Sequence, residues 1–308
     1  MSGLRHAASE YLAIRRALGY KLTWQGRLLF EFVDYLDASG AAVITTELAL
    51  AWAQRPTNAT PLWWRQRLSV VRGFARHHQG VDPRTEVPAS DLLPARFRRA
   101  VPHLYAGAEI DALLAAARAI RSPLRAATYE TLLGLLAVTG LRVGEAIGLD
   151  HDDVDCVGGR LVVRSGKNGT SREVPLHPSA VAALRAYARR RDALCPRPGS
   201  PGFFVSIAGT RLDYRAVWHE FDRLRRRTGL TGRPGSRPPR LHDLRHAFVL
   251  RTLLAWYRAG VDVEAHLPRL STYLGHVDPT STYWYMEAAP ELLALAAERL
   301  ERAWGTPS

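Results

Sequence analysis

Cysteine is nearly absent from this sequence of 308 residues: only Cys156 and Cys195 occur, with no CxxC spacing. That excludes a disulfide framework and argues against a zinc knuckle, leaving both thiols to serve as small hydrophobes. No cluster of carboxylates suggests a metal centre, and no cofactor is expected. Long apolar runs are missing too, since nothing approaches the roughly 18 consecutive apolar residues of a membrane span. The first twenty residues interrupt their apolar positions with Arg5, Glu10, Arg15 and Arg16, unlike the core of a signal peptide. Together these absences predict a soluble, cytoplasmic protein. Internal repeats and low-complexity tracts are also lacking.

Acidic residues are the other shortage. Lys and Arg number 42 against 29 Asp and Glu, a formal charge of +13 before any histidine is protonated. A GC-rich coding bias would replace Lys by Arg but would not create an excess of basic over acidic residues. The imbalance therefore predicts a polyanionic partner, double-stranded DNA in the simplest case. A hydrophobic fraction of 47% excludes general disorder, and a chain of this length is expected to form two domains.

In the first part, apolar residues recur at three- and four-residue intervals over 4–18 and 24–36, with Gly19, Tyr20 and Lys21 as a break. Thr45 or Thr46 can cap a third helix ending near Gln54. Pro61 opens a fourth that runs through Trp63, Trp64, Leu68, Val71 and Phe74. That helix carries Arg65, Arg67, Arg72 and Arg76, with His77 and His78 at its end and no acidic residue of its own. A basic face toward DNA is expected, the alternative being a solvated stripe; the two tryptophans read as packing residues. Pro83, Pro88, Pro94 and Pro102, interspersed with Arg84, Arg96, Arg98 and Arg99, cannot continue a helix and predict extended basic chain. The expected division is 1–94 for a helical DNA-binding domain, 95–106 for a basic Pro-rich linker and 107–308 for a second domain with a C-terminal helix.

The second part opens with helical patterns over 108–120 and 123–138, the latter ending at Thr139 and Gly140. Arg142 is expected to begin a short helix whose open N–H groups face a bound anion, with Glu145 one turn on to orient its guanidinium. Residues 160–164 alternate, 165–170 turn and 172–176 return, a hairpin with Lys167 near its tip. Helices follow over 179–191 and 213–228, the second with Arg223, Arg225, Arg226 and Arg227 near its end. In the loop 229–240, Arg233, Arg237 and Arg240 are expected to contact the phosphate backbone or simply to face solvent. From Leu241 onward, His242, Arg245, His246 and Val249 share one helix face while Leu241, Leu244 and Phe248 share another. The fold class is thus mainly α with a small antiparallel β-hairpin, in two domains.

Near the end, Leu267, Leu270 and Leu274 recur at helical spacing and Gly275 stands where a left-handed cap is expected, which would hold His276 at a helix end. Asp278 can cap a new helix with Pro279 in its first turn, bringing Tyr285 about two turns later. Residues 291–304 form an amphipathic pattern suited to the chain's own domain or to a neighbouring subunit. Three distant stretches thus supply two arginines, two or three histidines and a tyrosine, an inventory suited to a phosphodiester. Two guanidinium forks can offset the charge that repels an incoming phenolate and the further charge that builds on the equatorial oxygens.

From about Gly107 to Glu291 the sequence resembles the tyrosine recombinases, or phage integrase family; the helical first part resembles their core-binding domain more loosely. The resemblance is carried by Thr139-Gly140-Leu141-Arg142, by Gly166-Lys167 leading into Val174-Pro175-Leu176, by His242 and Arg245 in His-x-x-Arg spacing, and by Leu274-Gly275-His276 with Tyr285 nine residues beyond. Four boxes in one order are far more specific than one. The resemblance implies that Arg142 and Arg245 grip the scissile phosphate, His242 and His276 complete the pocket, Lys167 is the general acid, Tyr285 the nucleophile and Glu145 a supporting residue. It also implies integration or excision of a mobile element, such as transposition, by a homo-tetramer or with related recombinases on two duplexes. Tyr273 and Tyr283 are expected to be packed aromatics. Three alternatives stand beside this reading: a metal-dependent nuclease using His242, His246 and His276, a type IB topoisomerase, and a non-catalytic sequence-specific DNA-binding protein.

Overall fold

The computed structural model describes residues 3–93, 102–164, 171–232 and 237–275. The chain divides into two compact units, Met1–Arg99 and Ala100–Ser308.

The first unit is a bundle of α1 (Gly3–Ala17), α2 (Thr23–Ala38), α3 (Thr46–Gln54) and α4 (Pro61–His78). Its core is built from the apolar stripes of these helices, with Leu12, Leu29, Phe32, Trp52, Leu68 and Phe74 buried together. Of the two candidate caps for α3 it is Thr45 whose hydroxyl accepts the Leu48 N–H, at 3.3 Å. Thr60 does the same for Trp63, and Pro61 occupies a first-turn position where its missing N–H costs nothing.

The basic face expected on α4 is only partly there. Arg67 lies inside the bundle, its guanidinium 3.8 Å over the Trp52 ring and donating to the Trp52 carbonyl at 2.9 Å, with the Glu31 carboxylate at 3.9 Å. The π face and the acid come from α3 and α2, so α4 alone gave no sign of them. Arg72 donates to the carbonyls of Pro88 and Ala89, both at 2.7 Å, which fastens the segment after α4 onto the bundle. The extended chain after α4 stays on the unit: the Glu86 carboxylate accepts the Thr46 N–H at 2.7 Å and Leu93 is buried. Arg65 is half-buried and Arg76 exposed. Trp63 and Trp64 pack on the core as expected.

The second unit contains α5 (Gly107–Arg118), α6 (Pro123–Thr139), α7 (Val143–Gly148), α8 (Pro178–Leu194), α9 (Tyr214–Arg227), α10 (Asp243–Arg258) and α11 (Val263–Leu274). Between α7 and α8 stands a three-stranded antiparallel sheet, β1 (Val154–Asp155), β2 (Arg160–Val163) and β3 (Arg172–Pro175), in that spatial order. β1 extends the expected hairpin by a strand two residues long, too short to show alternation. α6 is the central helix: Leu132, Leu133, Leu135 and Leu136 are all buried, with α5, α8 and α10 packed around it. The arginines ending α9 are largely neutralised in place, Arg223 by Glu220 and both Arg225 and Arg226 by Asp222.

Strand register decides one further placement. Val163 pairs with Arg172 and Leu161 with Val174, and Leu161, Val163 and Val174 are all buried. Since alternate residues share a face, Arg172 points with Val174 into the protein, its side chain only 11% exposed. Among the described residues no helix is long and apolar enough to cross a membrane.

Replacing Arg67 by Ala should lower the urea midpoint by the equivalent of roughly 2 kcal/mol, through the lost hydrogen bond and ring contact. Non-specific DNA affinity and its salt dependence should stay unchanged. A salt slope smaller by about one phosphate contact would instead restore Arg67 to the DNA surface.

Candidate active site

Three chain ends meet in the second unit. The first is the end of α6, where Gly140 adopts φ 61° and its N–H donates to the Leu136 carbonyl at 3.1 Å. Glycine is required there twice over: the conformation is left-handed, and an added Cβ would lie 2.6 Å from a Phe248 ring carbon. The Thr139 hydroxyl accepts the Leu141 N–H at 3.3 Å, and the chain turns into an extended Arg142 that precedes α7. Glu145 folds back on it. One carboxylate oxygen accepts the Arg142 backbone N–H at 2.9 Å and the other accepts the Arg142 guanidinium at 2.7 Å. The carboxylate of the third residue of α7 thus takes the N–H of the residue that precedes the helix.

The second and third ends are the head of α10 and the tail of α11. Arg245, on the first turn of α10, is 2% exposed and spans the other two: one amino group donates to the Gly140 carbonyl and the other to the Leu274 carbonyl, both at 2.8 Å. Arg142 donates to the next carbonyl, that of Gly275, at 3.2 Å. Gly275 adopts φ 67°, the left-handed cap expected of it. Arg142 and Arg245 thus converge on successive carbonyls immediately before His276.

A third arginine, which the sequence reading did not single out, completes the arrangement. Arg172 donates through both amino groups to the two oxygens of Glu145, at 3.1 and 2.9 Å, and through its Nε to the Tyr273 carbonyl at 2.8 Å. Its signal was a charge on the same strand face as Val174. Glu145 is left 7% exposed with donors on both oxygens. Burial pushes this carboxyl up, but the bonds from Arg172 and Arg142 outweigh it and hold the group below its ordinary value.

Two histidines flank the arginines, their rings 5.0 Å apart and edge to face. His242 is open to solvent at the head of α10, yet the surrounding protein and then the cation of Arg245 hold its imidazole below the usual range, with Arg240 and Arg142 adding to the effect against Asp243. Burial, with His242 second, lowers His246 to about 3. Both rings are therefore neutral at pH 7. Tyr273 stacks on Phe248 at 5.8 Å, and burial pushes its phenol up to about 12, as suits a packed aromatic.

Arg240 is tied to the buried Asp243 at 2.8 Å, while Arg237 is exposed. Lys167, His276, Tyr283, Tyr285, Arg233, the cap at Asp278 and Pro279, and the amphipathic segment 291–304 lie outside the described residues. Among the described residues no three His, Cys, Asp or Glu side chains are grouped as metal ligands.

Exchanging Glu145 for Gln should destabilise the chain by roughly 3 kcal/mol at pH 7, since two guanidinium groups lose a buried counter-charge. Because the folded pKa is depressed, the advantage of the parent is present above the unfolded value near 4.5 and is lost as pH falls through the lower folded value. Urea titrations of both proteins at pH 7 and at pH 4 or below test this; a gap independent of pH would contradict it.

The phage integrase family is matched over residues 105–291. The integrase/recombinase y4rB of Sinorhizobium fredii is 48% identical over 310 residues, covering 99% of each chain. The tyrosine recombinase XerD of Caulobacter vibrioides is 30% identical over 293 residues, 92% of each. Among solved structures, the Tn1549 transposon integrase in complex with transposon right end DNA superposes with a TM-score of 0.66 at 18% identity, covering 96% of this chain and 98% of that one.

Proposed function

Because the chain belongs to the phage integrase family of tyrosine recombinases, and is thus a site-specific DNA recombinase, we propose that it cuts and rejoins strands through a covalent 3′-phosphotyrosine linkage. Neither metal nor ATP takes part in this reading. Its principal support is the convergence of Arg142 and Arg245, from two separate elements, on the backbone that leads into His276.

In the proposed reaction the Tyr285 phenol attacks the scissile phosphorus. A P–O bond to tyrosine forms, the P–O5′ bond breaks, and the departing 5′-oxygen takes a proton from Lys167. Arg142 and Arg245 hold the non-bridging oxygens and offset the charge that grows on them in the transition state. His242 is neutral at pH 7 and can accept the phenol's proton, and His276 completes the pocket. The phenol's ordinary pKa near 10 is too high for it to ionise unaided, and nearby guanidinium groups favour its anion. Glu145 keeps Arg142 aimed. Rejoining reverses the sequence with a different 5′-hydroxyl, so the linkage itself conserves the bond energy.

Exchange between two duplexes breaks four strands, one per tyrosine, so the working assembly is a homo-tetramer or a set of related recombinases. The cytoplasmic, chromosome-bearing compartment is where such an enzyme acts. The Sinorhizobium relative's name and the transposon integrase's bound DNA favour movement of a mobile element as the biological setting. Residues 1–94 would serve as the core-binding domain, with Arg65 and Arg76 toward DNA, and Arg233, Arg237 and Arg240 would flank the catalytic groove. The chain 95–106 would link the two domains.

A nicked substrate that releases the short fragment bearing the new 5′-hydroxyl on cleavage traps the adduct. The parent should form a protein–DNA adduct in excess EDTA, and Tyr285→Phe should bind the same DNA and form none. Adduct formation by Tyr285→Phe but not Tyr283→Phe would move the nucleophile; loss of cleavage in EDTA would favour a metal nuclease; plasmid relaxation without exchange would favour a topoisomerase.

A further inference from the structure

We propose that Arg172 is a positioning residue for strand cleavage, its fork fixing Glu145, and through it the Arg142 guanidinium, against the tail of α11. The proposal rests on the recombinase reading above. Arg172 engages all three of its nitrogens: two on the Glu145 carboxylate and one on the Tyr273 carbonyl. The same Glu145 oxygen that accepts Arg172 Nη1 also accepts Arg142 Nη1. The guanidinium also lies against Gly275, where an added Cβ would stand 2.7 Å from Nη1. One side chain on β3 therefore touches the acid that aims Arg142 and two residues of the segment leading to His276.

Stability alone does not call for an arginine here. Its neighbours on the inward face of the sheet are Leu161, Val163 and Val174, and well-packed apolar residues in place of both members of a buried ion pair are often as stable, although loss of one member alone is costly. What an apolar residue cannot supply is direction. Glu145 without a second partner could rotate away from Arg142, whereas a planar fork bonded to both oxygens fixes the carboxylate plane. Lysine keeps the charge but has no fork. The charged groups bonded to Glu145 are Arg142, at the head of its own helix, and Arg172, from β3. With Arg172 gone, the carboxyl moves back up toward protonation, and a protonated Glu145 holds Arg142 less well.

The trapping substrate separates the possibilities. The parent chain is run first, since absence of its adduct would reject the recombinase reading and not this one. Arg172→Lys and Arg172→Gln are then compared with it for melting temperature, DNA affinity and single-turnover adduct formation across pH. The expected result for Arg172→Lys is affinity within about twofold of the parent with adduct formation slowed roughly 10–100-fold. In Arg172→Gln the acidic limb of the rate profile should shift to higher pH. Placed in a Glu145→Gln background, Arg172→Lys should slow the reaction by less than about twofold more, because both changes interrupt one path. Equal adduct rates in Arg172→Lys and the parent would overturn the proposal, as would full additivity with Glu145→Gln. So would failure of both Arg172 variants to fold, or a rate loss matched by affinity loss with an unmoved pH profile, which would assign Arg172 to the scaffold alone.

Discussion

Three arginines take three successive carbonyls at the tail of α11: Arg172 that of Tyr273, Arg245 that of Leu274 and Arg142 that of Gly275. A helix ends with carbonyls that have no partner inside it and with the negative pole of its dipole, so cations bind there favourably. The three guanidinium groups come from β3, α10 and the turn before α7, elements far apart along the chain. Fixing these carbonyls fixes the direction in which the backbone leaves the helix, and His276 and Tyr285 of the proposed mechanism lie next along the chain. The groups that would bind phosphate in the proposed mechanism thus also hold the backbone from which the segment with the proposed nucleophile departs.

Charge is handled unevenly across the site. Bonds to neutral carbonyls orient a guanidinium without cancelling its charge, while the buried carboxylate of Glu145 sits between Arg142 and Arg172 and keeps them from separating. The histidines contribute no charge at neutral pH, since their surroundings keep both imidazoles unprotonated. In the proposed mechanism arginine would supply the field and histidine would be left for proton movement, a division that suits displacement at phosphorus.

Local signals in the sequence were strong where a single residue dictates backbone geometry. Thr45, Pro61, Gly140 and Gly275 mark helix ends through capping and left-handed conformation, and each stands at such an end. The paired strands β2 and β3 followed from alternation on either side of turn-forming residues. Less legible was anything that depends on what another element brings. Arg67 looked like surface until Trp52 and Glu31 arrived from neighbouring helices, and nothing within residues 81–93 showed that Arg72 and Thr46 would fasten that extended chain to the bundle. Arg172 could have been read from its register, yet an inward arginine has meaning only once Glu145 faces it. Net charge likewise overstated the surface available to DNA, since Arg223, Arg225 and Arg226 are paired within α9 and Arg67 is buried.

The most direct measurement is a crystal structure of the chain trapped on cleaved DNA. The account predicts the phosphorus bonded to the residue 285 oxygen, with non-bridging oxygens within about 3 Å of both the Arg142 and Arg245 guanidinium groups. A covalent phosphate attached elsewhere, or one at residue 285 with both arginines remote from it, would contradict the account.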